Sequence, residues 1–332
     1  MRTIDGSWRV VAFQLLARPR SASACRFGPP VSFSVLAVVG PTASGKSDLG
    51  ISIAESLGNA EIVNADAMQL YRGMDIGTAK LSESERKGIT HHLNDAVTPD
   101  QELTAVEYSK LAQATIREIL ERGKIPILVG GSMFYVAAAL DEMDFAPTDE
   151  AVRERLEAES EALGALAMHE RLRALDSKSA EIIPAQNIRR VVRALEVIEL
   201  TGEPYKSSLP DPQYLLPTLQ LGIDVDREIL KSRIRVRVER MWELGLVDEV
   251  KQLLDSGVSF SRTAAVAIGY AQARAQLNGE LTQHEAIEQT VTLTNRYARR
   301  QMSWFRRDTR ISWLQSSENL ENQALEQIRL GR

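Results

Sequence analysis

The sequence predicts an α/β fold: a parallel sheet flanked by helices and interrupted by a mostly helical insertion. Three observations predict it. Short apolar runs that read as buried strands, at Ser34–Val39, Ala60–Asp66, Lys124–Val129 and Thr218–Val225, alternate with segments of helical period. The first run ends in Gly40-Pro41-Thr42-Ala43-Ser44-Gly45-Lys46-Ser47, the G-x-x-x-x-G-K-[ST] pattern in the strand–loop–helix setting that it requires, so the sheet is expected to be P-loop NTPase-like. From Asp141 onward an acidic, helical stretch breaks the alternation before it resumes near Thr218. The division expected is an extension at 1–33, a first core part at 34–142, the insertion at 143–214, core completion with a basic helical part at 215–315, and a flexible tail at 316–332.

Taken in order, Met1–Pro30 carries Arg2, Arg9, Arg18, Arg20 and Arg26 against Asp5 alone. That composition reads as a disordered extension, or as a targeting peptide. The loop from Gly40 to Ser47 turns successive backbone N–H groups inward as a nest for anionic oxygens. The following helix start adds partial positive charge, Lys46 a full one, and Ser47 a hydroxyl suited to Mg²⁺. A solvated Gly/Ser loop is the bland reading of the same residues. Asp66 closes the second strand and is expected to face the same crevice, as a general base or a metal ligand. A helix N-cap would also explain it.

Met68–Lys80 reads as a long loop over the crevice. His91 and His92 have no third ligand nearby and read as core or hydrogen-bonded loop residues. Thr104–Arg122 has a helical period, with Leu111, Ile116, Ile119 and Leu120 among its apolar positions. Gly130-Gly131-Ser132 ends the third strand; the glycines permit close backbone approach to a ligand, and Ser132 suits either a phosphate or a helix cap. In the insertion, Arg189 and Arg193 lie one turn apart. After the fourth strand, Arg233 and Arg237 share a helix face, where a bound anion or simple solvation would relieve their repulsion. Near the end, Arg296, Arg299, Arg300, Arg306, Arg307 and Arg310 oppose only Asp308 and are interleaved with Tyr297, Trp304 and Phe305, a pattern that suits phosphate backbones and unstacked bases.

At 332 residues with 44% hydrophobic and 26% charged content, the chain is an ordinary globular one. Its net charge of −5 averages an acidic middle with a basic end. One cysteine, Cys25, excludes an intramolecular disulfide and a Cys-rich zinc site. No apolar run approaches the roughly 20 residues of a membrane helix, and a cytoplasmic monomer is expected.

These pieces together resemble the tRNA dimethylallyltransferase (isopentenyltransferase) family, bacterial type, over about residues 35–315. The resemblance rests on G-P-T-A-S-G-K-S at Gly40–Ser47, N-A-D-A-M-Q-L-Y-R-G-M-D-I-G-T-A-K at Asn64–Lys80, and V-G-G-S at Val129–Ser132. R-R-V-V-R-A-L-E-V at Arg189–Val197, M-W-E-L-G-L-V-D-E-V at Met241–Val250 and R-R-Q-M-S-W-F-R-R at Arg299–Arg307 continue it. It implies transfer of a dimethylallyl group from its diphosphate to N6 of the adenosine 3′-adjacent to the anticodon, with Asp66 as base and the cradle at Thr42–Ser47. It implies tRNA contacts at Asp66, Ala67, Met68, Gln69, Ser132, Arg153, Arg189, Arg190 and Arg193. Ala67 stands where Ser is usual, and Ser132 where Thr is usual.

Around that expectation, Lys46 and Mg²⁺ would stabilise the leaving diphosphate, Arg233 and Arg237 would close over it, and Arg299 and Arg300 would meet the anticodon stem-loop. The competing reading is a small-molecule or nucleotide kinase, whose ATP-binding loop has the same pattern. A guanine-reading N-K-x-D is absent.

Overall fold

The computed structural model describes residues 33–205 and 211–331. The extension at 1–32 and Leu209–Pro210 of the expected way out of the insertion lie outside the described residues. All five residues of β1 (Val35–Val39) are buried. Leu36 and Val38 join one apolar cluster, while Val35, Ala37 and Val39 join another. This is the period-2 pattern of a strand covered on both faces. With β2 (Ala60–Asn64), β3 (His91–His92), β4 (Ile125–Gly130), β5 (Thr218–Asp224) and β6 (Ile311–Gln315), it forms a six-stranded sheet in the order β3-β2-β4-β1-β5-β6. Every pairing is parallel, with Val38 opposite Val129 on one side and Leu221 on the other. Parallel pairing gathers all C-terminal strand ends on one edge, and this is what assembles the site.

The loop after β1 leads into α1 (Lys46–Leu57), which Gly58 ends at φ 72. One sheet face is covered by α2 (Ala105–Glu121) and α3 (Met133–Leu140). A capping box between Thr104 and Glu107 starts α2, and its buried side is Tyr108, Ala112, Ile116 and Ile119. Leu111, read as an apolar-face position, is 42% exposed, because the stripe runs one residue out of phase with it.

Next come α4 (Glu150–Leu163), α5 (Ala165–Leu175), α6 (Ser177–Ile182) and α7 (Ile188–Thr201). They share a small core of their own around Leu156, Met168, Leu172, Ile183 and Leu195. Beyond β5 the chain forms α8 (Arg227–Glu243), α9 (Leu246–Asp255), α10 (Arg262–Ala265), α11 (Tyr270–Leu277) and α12 (Gln283–Phe305). They supply Ile234, Val238, Leu246, Tyr270 and Ala298 to the other sheet face.

Residues 316–332, expected as a flexible tail, instead carry α13 (Leu320–Leu330). Leu320, Ala324 and Ile328 recur every four residues, and the last two are buried in the cluster that includes Ile53 of α1. The start of the acidic run also departs from a solvated surface. Asp141 is 6% exposed and takes a bidentate pair from Arg310 at 2.6 and 3.0 Å.

Candidate active site

The phosphate loop leaves β1 at Gly40 and enters α1 through Gly45, whose φ of 91 is the left-handed conformation that glycine tolerates. Ala43 also has positive φ, 64, which is unusual for a residue with a Cβ. Lys46 folds back so that Nζ donates to the Pro41 carbonyl at 3.0 Å. Burial lowers its pKa to about 8; Asp66 opposes the shift and Arg237 adds to it. The Ser44 hydroxyl is buried with no hydrogen-bond partner in the structure.

The glycine pair after β4 serves close approach, though between parts of the protein. A Cβ at Gly130 would sit 2.2 Å from the Ala65 carbonyl oxygen. One at Gly131 would sit 2.5 Å from Gln301 Nε2 and 2.9 Å from the Gly40 carbonyl oxygen. Both packings draw the ends of β1, β2 and β4 together.

Asp66 follows β2 in a turn and caps no helix. Its Oδ1 accepts from the Met68 N–H at 3.0 Å, and its own N–H donates to Asn64 Oδ1 at 2.9 Å. Lys46 and Arg237 both act on Asp66 electrostatically. Arg237 reaches in from α8, donates to the Thr78 carbonyl at 3.1 Å, and has its pKa lowered by burial against the pull of Asp66. The structure thus brings together Lys46, Asp66 and Arg237. Arg233, one turn earlier, is exposed and donates to Ser316 Oγ at 3.2 Å.

Ser132 is the N-cap residue of α3 but makes no side-chain cap bond; the residue is buried and its Oγ accepts from the Ala67 N–H at 2.8 Å. Tyr297 of α12 lies against Ser132 and Gln301, and burial, with Asp66 nearby, pushes its hydroxyl up to about 12. Gln69 donates to the Thr78 carbonyl at 3.1 Å and so ties the crevice loop to itself.

The insertion's arginines are arranged differently. Arg153 and Arg193 both bond the carboxylate of Glu196, which is fully buried in α7. Arg193 also donates to the Pro147 and Ala146 carbonyls, each at 2.8 Å. Arg189 and Arg190 are exposed on the same helix. On α12, Arg299 and Arg300 are exposed and Phe305 is buried, while Arg300 lies over the Tyr297 ring at 5.6 Å and Arg307 over the Trp304 ring at 5.3 Å. In the insertion the acids Glu157 and Glu159 pair with Arg262, Arg155 and Arg171. His91 and His92 bond the Ile89 carbonyl at 2.9 Å and Glu61 at 2.7 Å respectively.

Sequence reasoning missed Gln301 and Glu196. Both are polar side chains within helices that are also rich in arginine, where a solvated position is the ordinary expectation. Gln301 interrupts Arg300 and Met302, and its only local signal is its place one turn from Ala298 and Phe305 on the buried side of α12.

A family model described as IPP transferase matches residues 69–308. A tRNA dimethylallyltransferase of Nocardioides sp. is 53% identical over 84% of this chain and 90% of its own length. One from Thermobifida fusca is 53% identical over 85% and 89%. Among solved structures, the tRNA isopentenylpyrophosphate transferase of Bacillus halodurans superposes with a TM-score of 0.64 at 36% identity, covering 90% of this chain and 97% of that one. A eukaryotic dimethylallyltransferase acting on tRNA gives a TM-score of 0.74 at 26% identity, over 88% and 77%. With a family model over residues 69–308 and relatives 53% identical over most of both chains, the chain belongs to the IPP transferase family.

Proposed function

We infer that this enzyme transfers the dimethylallyl group of dimethylallyl diphosphate to N6 of the adenosine 3′-adjacent to the anticodon, position 37, in tRNAs that read codons beginning with U. What supports this reading above all is Asp66, a carboxylate with one oxygen held by a backbone N–H, placed at the mouth of a phosphate loop beside two cations. An exocyclic adenine amine is a weak nucleophile, and an allylic carbon releases diphosphate only when the departing charge is stabilised. The N6 lone pair forms the new C–N bond as the C–O bond to diphosphate breaks. The N6 proton passes to Asp66, and the loop amides, Lys46 and Arg237 receive the diphosphate charge.

Mg²⁺ fits the residues present. The Ser47 hydroxyl is a hard oxygen donor at the start of α1, and among the described residues no group of three or more His, Cys, Asp or Glu forms a protein-only cage. A cation held mainly by substrate oxygens and waters suits that arrangement. Ser47 would hold it, and it would supply further charge neutralisation to the leaving group.

The adenosine must be splayed from the anticodon loop to reach Asp66. Asp66–Gln69, Ser132, Arg153, Arg189, Arg190 and Arg193 are read as its surroundings, with Arg299 and Arg300 on the flanking phosphates. No helix among the described residues is long and apolar enough to cross a membrane, and we read the enzyme as a cytoplasmic monomer.

The test is transfer to unmodified tRNA from dimethylallyl diphosphate and Mg²⁺ with no ATP, followed by nucleoside mass spectrometry. Asp66→Asn should retain tRNA affinity and lose roughly 10²–10⁴-fold in single-turnover rate. A rate within a few-fold of wild type would remove Asp66 as the base, and a requirement for ATP would return the kinase reading.

A further inference from the structure

Gln301 is 1% exposed, yet it lies 259 positions from one of its partners and 170 from the other. Its Oε1 accepts from the Thr42 N–H at 2.9 Å, and its Nε2 donates to the Gly131 carbonyl at 2.8 Å. One amide therefore joins the phosphate loop to the turn after β4. Only a side chain with an acceptor and a donor on the same terminal group makes both bonds. A glutamate could take the first and not the second, and a lysine the reverse.

The loop it holds is not at rest by itself. Ala43, the next residue after Thr42, has φ 64, a conformation that persists only where the surroundings over-determine it. On the far side the loop is tied by Lys46 Nζ to Pro41, but that lysine is wanted by the substrate. Beside the long Ser44 N–H to Pro41 carbonyl bond within the loop, at 3.3 Å, the Gln301 bond remains when Lys46 turns to an anion. Gly131 leaves room for it, since a Cβ there would fall 2.5 Å from Nε2.

We infer that Gln301 is a positioning residue for the diphosphate cradle: its amide bridges the Thr42 peptide to the Gly131 carbonyl and fixes the loop in the shape that receives the substrate's diphosphate. The inference rests on reading Gly40–Ser47 as the diphosphate site. Gln301 touches no reacting atom. It acts on ground-state binding of the diphosphate through the loop backbone, so its removal shows in KM more than in kcat.

The test uses the full chain and inorganic pyrophosphate as the direct probe, titrated calorimetrically into wild type, Gln301→Leu, Gly131→Ala and the double variant. Expected for Gln301→Leu are about tenfold weaker pyrophosphate binding and a matching rise in KM for dimethylallyl diphosphate. Its kcat should change by less than about threefold and its tRNA affinity should not change. Gly131→Ala, which displaces the same amide, should move pyrophosphate affinity the same way, and the double variant should be no worse than the more severe single one. If Gln301→Leu does not fold, Gln301→Glu, which keeps the acceptor and loses the donor, carries the test.

Pyrophosphate affinity within about twofold of wild type in the folded variants overturns the inference. So does a loss shared equally with tRNA affinity and matched by a fallen melting temperature, which is a structural effect. Pyrophosphate binding needs neither tRNA nor transfer. A wild type that binds pyrophosphate but leaves tRNA unmodified therefore refutes the proposed function and leaves the clamp standing. A wild type that binds no pyrophosphate overturns the clamp, and the transfer assay alone decides the proposed function.

Discussion

Lys46 and Arg237 lie at the C-terminal edge of the sheet with no carboxylate at ion-pair distance among the described residues; each bonds a backbone carbonyl and feels Asp66 from further away. In the insertion, Arg153 and Arg193 converge on Glu196, whose carboxylate also accepts from the Thr148 hydroxyl and the Asp149 N–H. Burial works against the Glu196 carboxylate, and these hydrogen bonds nonetheless hold its pKa below the usual range. The first region keeps cations incompletely neutralised, and the fold bears that cost so that an incoming anion can relieve it. The second neutralises its charge internally, so that four short helices keep one arrangement around a small core. The cations at the sheet edge stay open to an anion, whereas Arg153, Arg193 and Glu196 close on one another.

Three changes would break or sharpen this contrast. The largest effect is expected from Lys46→Met, with transfer activity falling roughly 10²–10³-fold as in the loss of one charge-stabilising group. Its melting temperature should hold or rise, since an unpaired buried charge has been removed. A clear fall in melting temperature would show that Lys46 is a structural cation. Next is Glu196→Ala, which strands two guanidinium groups and should cost about 3–5 kcal/mol in chemical denaturation. Pyrophosphate affinity of the protein that remains folded should be unchanged. A loss of that affinity would mean the insertion and the loop are not separable in the way described. The smallest effect concerns Arg299→Ala with Arg300→Ala. The slope of log K for tRNA against log salt should flatten by roughly 0.7–0.9 for each phosphate that is no longer neutralised. An unchanged slope with a lowered melting temperature would place these arginines with those of the insertion.

The same contrast has a pH signature. Folding lowers the Lys46 pKa from 10.5 to about 8, so the folded state holds fewer protons than the unfolded one between those values. Below about pH 8 both states are protonated and the cost of the buried charge is present in full. As pH rises from there toward 10.5 this group's contribution to stability improves. Pyrophosphate binding needs the protonated amine and should weaken through the same window. Wild type should therefore show affinity falling while this contribution to stability rises, and Lys46→Met should lose both trends. Parallel trends in wild type would contradict the assignment.

Much of the site was legible because its pieces are local. Gly40–Ser47 declares itself by spacing, and Asp66 by following an apolar run in a parallel sheet. The glycine pair was legible as a need for space, and the neighbours that take it up are Ala65 at Gly130 and Gln301 with Gly40 at Gly131. What was illegible is what depends on distant partners. Glu196 reads as a solvated helix residue until Arg153 is brought to it from α4. β6 is half polar, with Ser312 and Gln315 among its five residues, and only its pairing with β5 makes it a strand. The helix at 320–330 does carry a local signal, the four-residue recurrence of Leu320, Ala324 and Ile328, but the surface of α1 that receives it lies far away in the chain.

Thr42 and Gln301 stand 259 residues apart, and that separation bears on how the enzyme comes into being. At about 5–20 residues per second, a ribosome needs on the order of tens of seconds between making one and the other. Throughout that interval the nascent chain carries a phosphate loop without the hydrogen bond that shapes it, and β6 is made only after Gln301. Parallel sheets built from such long-range pairings fold slowly. By this geometry, the phosphate loop gains its bridging bond only late, once Gln301 has been made and packed against Thr42 and Gly131.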